Sequence, residues 1–411
     1  MHMATVEIDQ TSECSILRHN NVPYFIKGAV GNVYLERLVE AGGNSIRASV
    51  GELDHAQSLG LSVLVGISAG KPRQGFDYLD PAVVEAQLEQ NLHIVRENRA
   101  HPALLMWAIG NELEIFTTPE ERAPMWVAVN DMAEQIKRVD PDHPVITVLG
   151  DQFRFMLHEL DDYCPALDAV GLNAYADMLT RPEDVEKQAW KRPYLITEFG
   201  PRGHWQVHKT PWGMPIEDTS TEKAEFYMNA YLHAVEMNPR CMGSYTFHWS
   251  SHQEKTHTWY GMFLPDGAPT EAVDVMTLLW SGEWPTLRCP KIGTKKITIV
   301  CEESTVFDLG ALNPCVRLIC EVDVSDPAGG ELKVVWELRP DVSDNPNVGG
   351  DREPPSFPIE GAVLASEGYG ATIQLPPEPG LYRIFVCVYN EAGLAATANL
   401  SVRSLAKSRT I

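Results

Sequence analysis

Between Tyr24 and Trp249 the chain repeats one unit eight times: a short β-type apolar run, then a stretch with helical periodicity. The runs are Tyr24 to Gly28, Ser45 to Ser49, Ser62 to Ile67, Leu104 to Gly110, Val145 to Leu149, Ala169 to Asn173, Tyr194 to Thr197 and Gly243 to Trp249. The helical stretches are Tyr34 to Glu40, Leu53 to Leu59, Val83 to Arg99, Glu120 to Val139, Phe153 to Leu160, Pro182 to Trp190, Glu222 to Met237 and Glu271 to Trp280. Strands separated by helices pair in parallel, because each helix is the crossover that returns the chain to the same edge. Eight such units over about 250 residues close a (β/α)8 TIM barrel. Thr219-Ser220-Thr221-Glu222 adds a hydroxyl-then-carboxylate signature of a capped helix start.

At 411 residues the chain is too long for the barrel alone. Thr5 to Ile16 reads as extended and Asn20-Asn21 as a turn, so residues 1–23 are expected to form a hairpin capping the bottom of a barrel spanning 24–284. After Trp280 the periodicity switches to alternation between Pro, Gly and Asp turns, with Ser281-Gly282-Glu283-Trp284-Pro285 as a linker. Residues 285–411 are expected to form an immunoglobulin-like β-sandwich of about seven strands. Cys315 to Val324 turns Val316, Leu318, Cys320, Val322 and Val324 inward, Leu332 to Leu338 has the same alternation, and Gly380 to Val386 and Ala395 to Val402 supply two more strands. Asp341 to Pro358 reads as a proline-rich loop.

Cys320, Trp336 and Cys387 have the order of the immunoglobulin disulfide and its tryptophan. Yet Ile384, Val386 and Val388 look like the core face, which puts Cys387 on the opposite one; free buried thiols are expected throughout. A net charge of −23 disfavours nucleic acid and anionic lipid as partners. No apolar run approaches the roughly 20 residues that span a bilayer, so no membrane association is expected. The first residues show no charged-then-apolar leader pattern, and a cytoplasmic location is the expectation. No Cys-x-x-Cys pair occurs, and His248, His252 and His257 match no helical ligand pair, so neither metal nor cofactor is expected.

Two carboxylates stand where barrel enzymes do their chemistry. Glu112 closes Trp107-Ala108-Ile109-Gly110-Asn111-Glu112 after the fourth strand, and Glu198 lies in Thr197-Glu198-Phe199 after the seventh. The C-terminal ends of both strands lie on one rim of a parallel barrel. A pair of carboxyl groups about 5 Å apart performs glycoside cleavage with retention, through a covalent intermediate; at about 6.5 to 9.5 Å it performs inversion.

These residues resemble the clan A glycoside hydrolases, most closely the central barrel of the β-galactosidase, β-glucuronidase and β-mannosidase family. The resemblance covers roughly residues 20–280. It implies Glu112 as acid/base, Glu198 as nucleophile, and Asn111 as the partner of the sugar 2-hydroxyl. It implies Arg47 as the cation that holds Glu198 ionised, Tyr175 of Asn173-Ala174-Tyr175 as a hydrogen-bond donor to the nucleophile, and Trp249 as an aromatic platform under the sugar. The two β-domains that precede the barrel in that family are not expected here, and strand one ends Gly28-Ala29-Val30-Gly31 without the usual aromatic and histidine residues. Substrate specificity therefore does not carry over.

A single glutamate ending a strand equally caps a helix or pairs with an arginine; two, with Asn111 and Arg47 in place, favour the catalytic reading. Glu114 reads as a surface or supporting carboxylate. Trp249 is alternatively core filler. Arg47, Asn111, Asn173, Tyr175, His204, Trp205 and Trp249 form the expected substrate-binding set, and Phe76-Asp77-Tyr78 is a further sugar-lining segment. The expected function is a retaining β-glycoside hydrolase acting on a β-linked glycoside or glucan. A transglycosylase using the same residues and a non-catalytic carbohydrate-binding protein are the alternatives.

Overall fold

The computed structural model describes residues 5–11, 13–150, 156–302, 308–344, 353 and 355–406. Two compact units are present: residues 1–200 with 229–249, and residues 201–228 with 250–411. Among the described residues no helix is long and apolar enough to cross a membrane.

The first unit opens with a small antiparallel sheet, β1 (Val6–Gln10), β2 (Ser15–His19) and β3 (Val22–Pro23). The parallel strands follow: β4 (Ile26–Val30), β5 (Ser45–Ala48), β6 (Ser62–Ile67), β7 (Leu104–Ile109), β8 (Val145–Leu149), β9 (Ala169–Ala174), β10 (Tyr194–Phe199) and β11 (Cys241–Thr246). They close a barrel in chain order, β11 pairing with β4. β7 to β11 are buried at every position, as expected of parallel strands enclosed on both faces.

Helices α1 (Leu35–Glu40), α2 (Leu53–Ser58), α3 (Pro81–Asn98), α4 (Pro119–Val139), α5 (Leu157–Tyr163) and α6 (Arg181–Lys187) alternate with these strands. Then come α7 (Ser220–Tyr231), which runs on into a π-turn at Leu232–Glu236, and α8 (Glu271–Ser281). The expected helix at Phe153 to Leu160 begins outside the described residues. α4 starts in a reciprocal cap: the Thr118 hydroxyl accepts from the Glu121 N–H, and the Glu121 carboxylate accepts from the Thr118 N–H. Thr219 and Glu222 make the same exchange at the start of α7, as their spacing indicated.

Strand one departs from its sequence boundaries by two residues, because pairing begins at Ile26 opposite Gly243 and at Gly28 opposite Ser45. Tyr24, expected inside that strand, donates its hydroxyl to the Asn44 carbonyl at 2.7 Å. Inside the barrel, Leu64, Leu105, Met106, Ala108, Ile146, Val148, Leu195 and Tyr245 form one apolar cluster, which Val6 and Leu17 of the small sheet join. Gly28 is required by this packing, since a Cβ there would lie 2.4 Å from the Tyr245 ring.

In the second unit, seven antiparallel strands appear among the described residues. β12 (Lys291–Cys301), β13 (Arg317–Ser325), β15 (Val363–Glu367) and β16 (Gly370–Gln374) form one sheet; β14 (Lys333–Pro340), β17 (Gly380–Tyr389) and β18 (Ala395–Ser404) form the other. One apolar cluster draws on both, with Leu318, Cys320 and Val322 from the first and Trp336, Ile384, Val386 and Val388 from the second. All eight cysteines are free, and Cys387 packs on the other side, near Leu264, Ala268 and Ala395. Alternation along β17 forbids the immunoglobulin-type bridge. Much of the expected loop at Asp341 to Pro358 lies outside the described residues.

Candidate active site

The rim of the barrel is organised by β10. Its register against β9 shifts between Ile196 and Glu198, so that Glu198 stands opposite Asn173. Such an irregularity re-aims consecutive side chains that would otherwise point to opposite faces. The Thr197 hydroxyl consequently donates to Asn173 Oδ1 at 2.8 Å, while Glu198 reaches the arginine on β5. Sequence placed Glu198 beyond the strand; it lies within it.

Arg47 is the hub. Its Nη1 donates to Glu198 Oε1 at 2.7 Å and to the Thr197 carbonyl at 3.1 Å, and its Nη2 donates to Asn111 Oδ1 at 2.7 Å. The planar guanidinium thus ties two strand ends together, which a lysine's single ammonium cannot do with the same geometry. The Tyr175 hydroxyl donates to Glu198 Oε2 at 3.1 Å, so both oxygens of that carboxyl accept a bond.

Glu112 is held by the turn that leaves β7. Gly110 (φ +68°) and Glu112 (φ +53°) both adopt left-handed backbone. For a residue with a Cβ this conformation costs about 1 kcal/mol or more. The Glu112 N–H donates to the Val148 carbonyl at 2.9 Å, and the Glu112 carbonyl accepts from Arg73 Nη1. Its Oε1 accepts from Asn173 Nδ2 at 2.9 Å. The same Asn173 nitrogen reaches Asn111 Oδ1 at 3.1 Å.

Burial pushes the Glu198 carboxyl up to about 7; the Arg47 charge opposes this, the Glu112 charge adds to it, and the Tyr175 bond opposes it. The Arg47 charge and hydrogen bond act toward the ionised form, as the sequence reading expected of this residue, while desolvation of an almost enclosed carboxyl acts against them and is the larger effect. Glu114 is 1% exposed, so it is no surface residue. Burial and the neighbouring Glu112 charge raise its carboxyl to about 7 as well.

Arg47, Asn111, Glu112, Asn173, Tyr175 and Glu198 therefore form one connected network. Asn173 has no exposed surface and spends its amide on Thr197, Asn111 and Glu112, which makes it a brace between the two glutamates rather than a surface for a ligand. Trp249 is likewise enclosed: its N–H donates to the Val30 carbonyl at 2.9 Å and its indole Nε1 to the Tyr34 carbonyl at 3.1 Å. The ring presents no open face, contrary to the platform expected of it.

His204 and Trp205 belong to the second unit. Their rings meet edge to face at 4.8 Å, Trp205 is half exposed, and burial lowers the His204 imidazole to about 4, with Lys255 and Lys209 adding to the effect. Thr197, Arg73 and Glu114 were not singled out as site residues from sequence. No local pattern marks Arg73, which lies in a short 3-10 turn at Pro72–Gln74.

Residues 53–256 match the glycosyl hydrolases family 2, TIM barrel domain. Among solved structures, a β-glucuronidase from Bacteroides uniformis aligns at 14% identity over 98% of this chain and 48% of that one, with a TM-score of 0.52. A Bifidobacterium dentium β-glucuronidase complexed with coumarin-3-O-glucuronide aligns at 18% identity over 68% of this chain and 49% of that one, TM-score 0.52. A GH2 β-galacturonidase from Eisenbergiella tayi bound to galacturonate aligns at 17% identity over 68% and 54%, TM-score 0.51. The chain spans about half the length of these structures. At such identities the alignments speak for the fold, and the family match covers the segment that carries Glu112, Asn173 and Glu198. The barrel segment of this chain is thus similar to the TIM barrel domain of the glycosyl hydrolases family 2, the family to which the resemblance drawn from its sequence pointed.

Proposed function

We propose that this chain is a retaining β-glycoside hydrolase with Glu198 as nucleophile and Glu112 as acid/base. The observation that carries the reading is the division of labour in the hydrogen bonds. Both Glu198 oxygens accept, from Arg47 and Tyr175, which favours the ionised form of that carboxyl. Glu112 takes one bond, from Asn173, and its remaining oxygen is available for a proton.

In the first step a Glu198 oxygen attacks the anomeric carbon as the glycosidic bond breaks, and Glu112 gives its proton to the departing oxygen. In the second, Glu112 takes a proton from water, the water oxygen attacks the same carbon, and the Glu198 ester bond breaks. Asn111 Oδ1 is occupied by Arg47 and Asn173, which orients the amide with Nδ2 as its remaining donor. That group donates to the 2-hydroxyl, an interaction that strengthens in the transition state.

The substrate class is a β-linked glycoside, with uronides among the first to test, since relatives of this fold include glucuronidases and a galacturonidase. We read the seven C-terminal strands as an immunoglobulin-like sandwich. Incubation with 2-fluoro β-glycosyl donors of galactose, glucuronic acid, galacturonic acid and mannose, followed by peptide mass mapping, tests the mechanism. A glycosyl adduct on Glu198 is expected; turnover in Glu198→Gln equal to wild type refutes the assignment.

A further inference from the structure

Glu114 takes no part in the chemistry above, yet it is sealed beside it. Its Oε1 accepts from the Gly150 N–H at 2.7 Å, and its Oε2 is buried without a hydrogen-bond partner. Buried carboxyl oxygens are normally satisfied, so an orphaned one asks for an explanation. Gly150 supplies a direction for it. A Cβ built on that residue would lie 3.2 Å from Glu112 Oε1 and 3.3 Å from its Cδ, which means the Gly150 backbone is packed against the Glu112 carboxyl.

The charged groups around Glu114 are few. Glu112 and Arg73 both act on it electrostatically, and it acts in turn on Arg122, which is itself paired with Glu159 at 2.8 Å. Arg73 gives Nη1 to the Glu112 carbonyl, and its Nη2 is buried without a partner. Among the described residues, no cation contacts the Glu114 carboxyl directly.

We propose that Glu114 is a positioning residue for Glu112: by accepting the Gly150 N–H it anchors the Gly150 backbone against that carboxyl. The inference rests on the acid/base reading of Glu112. An amide at 114 keeps an acceptor for the Gly150 N–H, and an alanine removes it.

Two variants test it: Glu114→Gln keeps an acceptor for the Gly150 N–H, and Glu114→Ala removes it. With 4-nitrophenyl and phenyl β-glycosides as probes, Glu114→Ala is expected to lower kcat on the phenyl glycoside, whose leaving group needs a proton, more than tenfold further than on the nitrophenyl one, with KM little changed. Glu114→Gln is expected to restore most of that loss. Independent of any substrate, hydrogen exchange of the Gly150 amide is expected to speed up in Glu114→Ala and to stay slow in Glu114→Gln. A folded Glu114→Ala protein with wild-type kcat on both glycosides, or with unchanged Gly150 exchange, overturns the inference. Failure of the wild type to turn over any of the glycosides refutes instead the proposed function, while the exchange of Gly150 still decides the anchor.

Discussion

Replacing Arg47 by methionine removes the guanidinium that faces Glu198 and keeps most of the side-chain volume. Both members of the pair are only 11% exposed, so solvent and salt screen the interaction little. An opposite charge in contact lowers a carboxyl by about 1 to 3 units. Glu198, already raised to about 7 by burial with Arg47 present, is therefore expected to titrate about 1 to 3 units higher in Arg47→Met. At pH 7 the ionised fraction then falls roughly fivefold to five-hundredfold, about 1 to 4 kcal/mol of nucleophile activation. Loss of the bonds to Asn111 and the Thr197 carbonyl adds to the penalty. The assay is the pH dependence of kcat/KM on a 4-nitrophenyl β-glycoside accepted by the wild type. The acid limb is expected near pH 7 in wild type and displaced upward in Arg47→Met, with Arg47→Lys intermediate because it keeps a charge and loses the fork. An acid limb that stays in place in a folded Arg47→Met protein would refute the electrostatic role given to this arginine.

Asn173→Ala leaves the Thr197 hydroxyl and the Glu112 carboxyl without their partner; it is expected to destabilise the protein by about 1 to 3 kcal/mol in denaturant titration and to lower kcat with KM nearly constant. Glu114 has a folded-state value raised to about 7 against 4.5 for a free glutamate. The native state thus binds more protons than the unfolded one across that window, and stability falls as pH rises from about 4.5 through 7. Glu114→Gln is expected to lose less, by up to about 3 kcal/mol at pH 8, with no such gain at pH 4; equal pH slopes for the two proteins would contradict the shift. Gly28→Ala forces a methyl to within 2.4 Å of the Tyr245 ring and is expected to cost about 1 to 3 kcal/mol, read as a lowered Tm.

The eight-fold alternation of apolar runs and helical stretches was legible because it is a local property: each run of five or six residues declares its own burial, and the crossover rule then leaves one topology. The neighbourhood of Glu112 and Glu198 was legible for the same reason, since strand order alone puts the ends of β7 and β10 on one rim. The strands β12, β15 and β16 were missed because they are short or half exposed and take their place only by pairing, β12 and β16 with β13 and β15 with β16. Of the contacts between side chains far apart in sequence, those of Arg47 and Tyr175 with Glu198 were implied by the family resemblance, and none was legible from periodicity. That Asn173 is a brace and not a surface, that Trp249 is enclosed, that Arg73 grips the Glu112 backbone and that Glu114 is buried each depend on which chain segment closes over the residue. Periodicity carries the direction of a side chain relative to its own strand; the register shift at Ile196 to Glu198, and the desolvation that lifts two carboxyls to about 7, exist only once the neighbouring strands are in place.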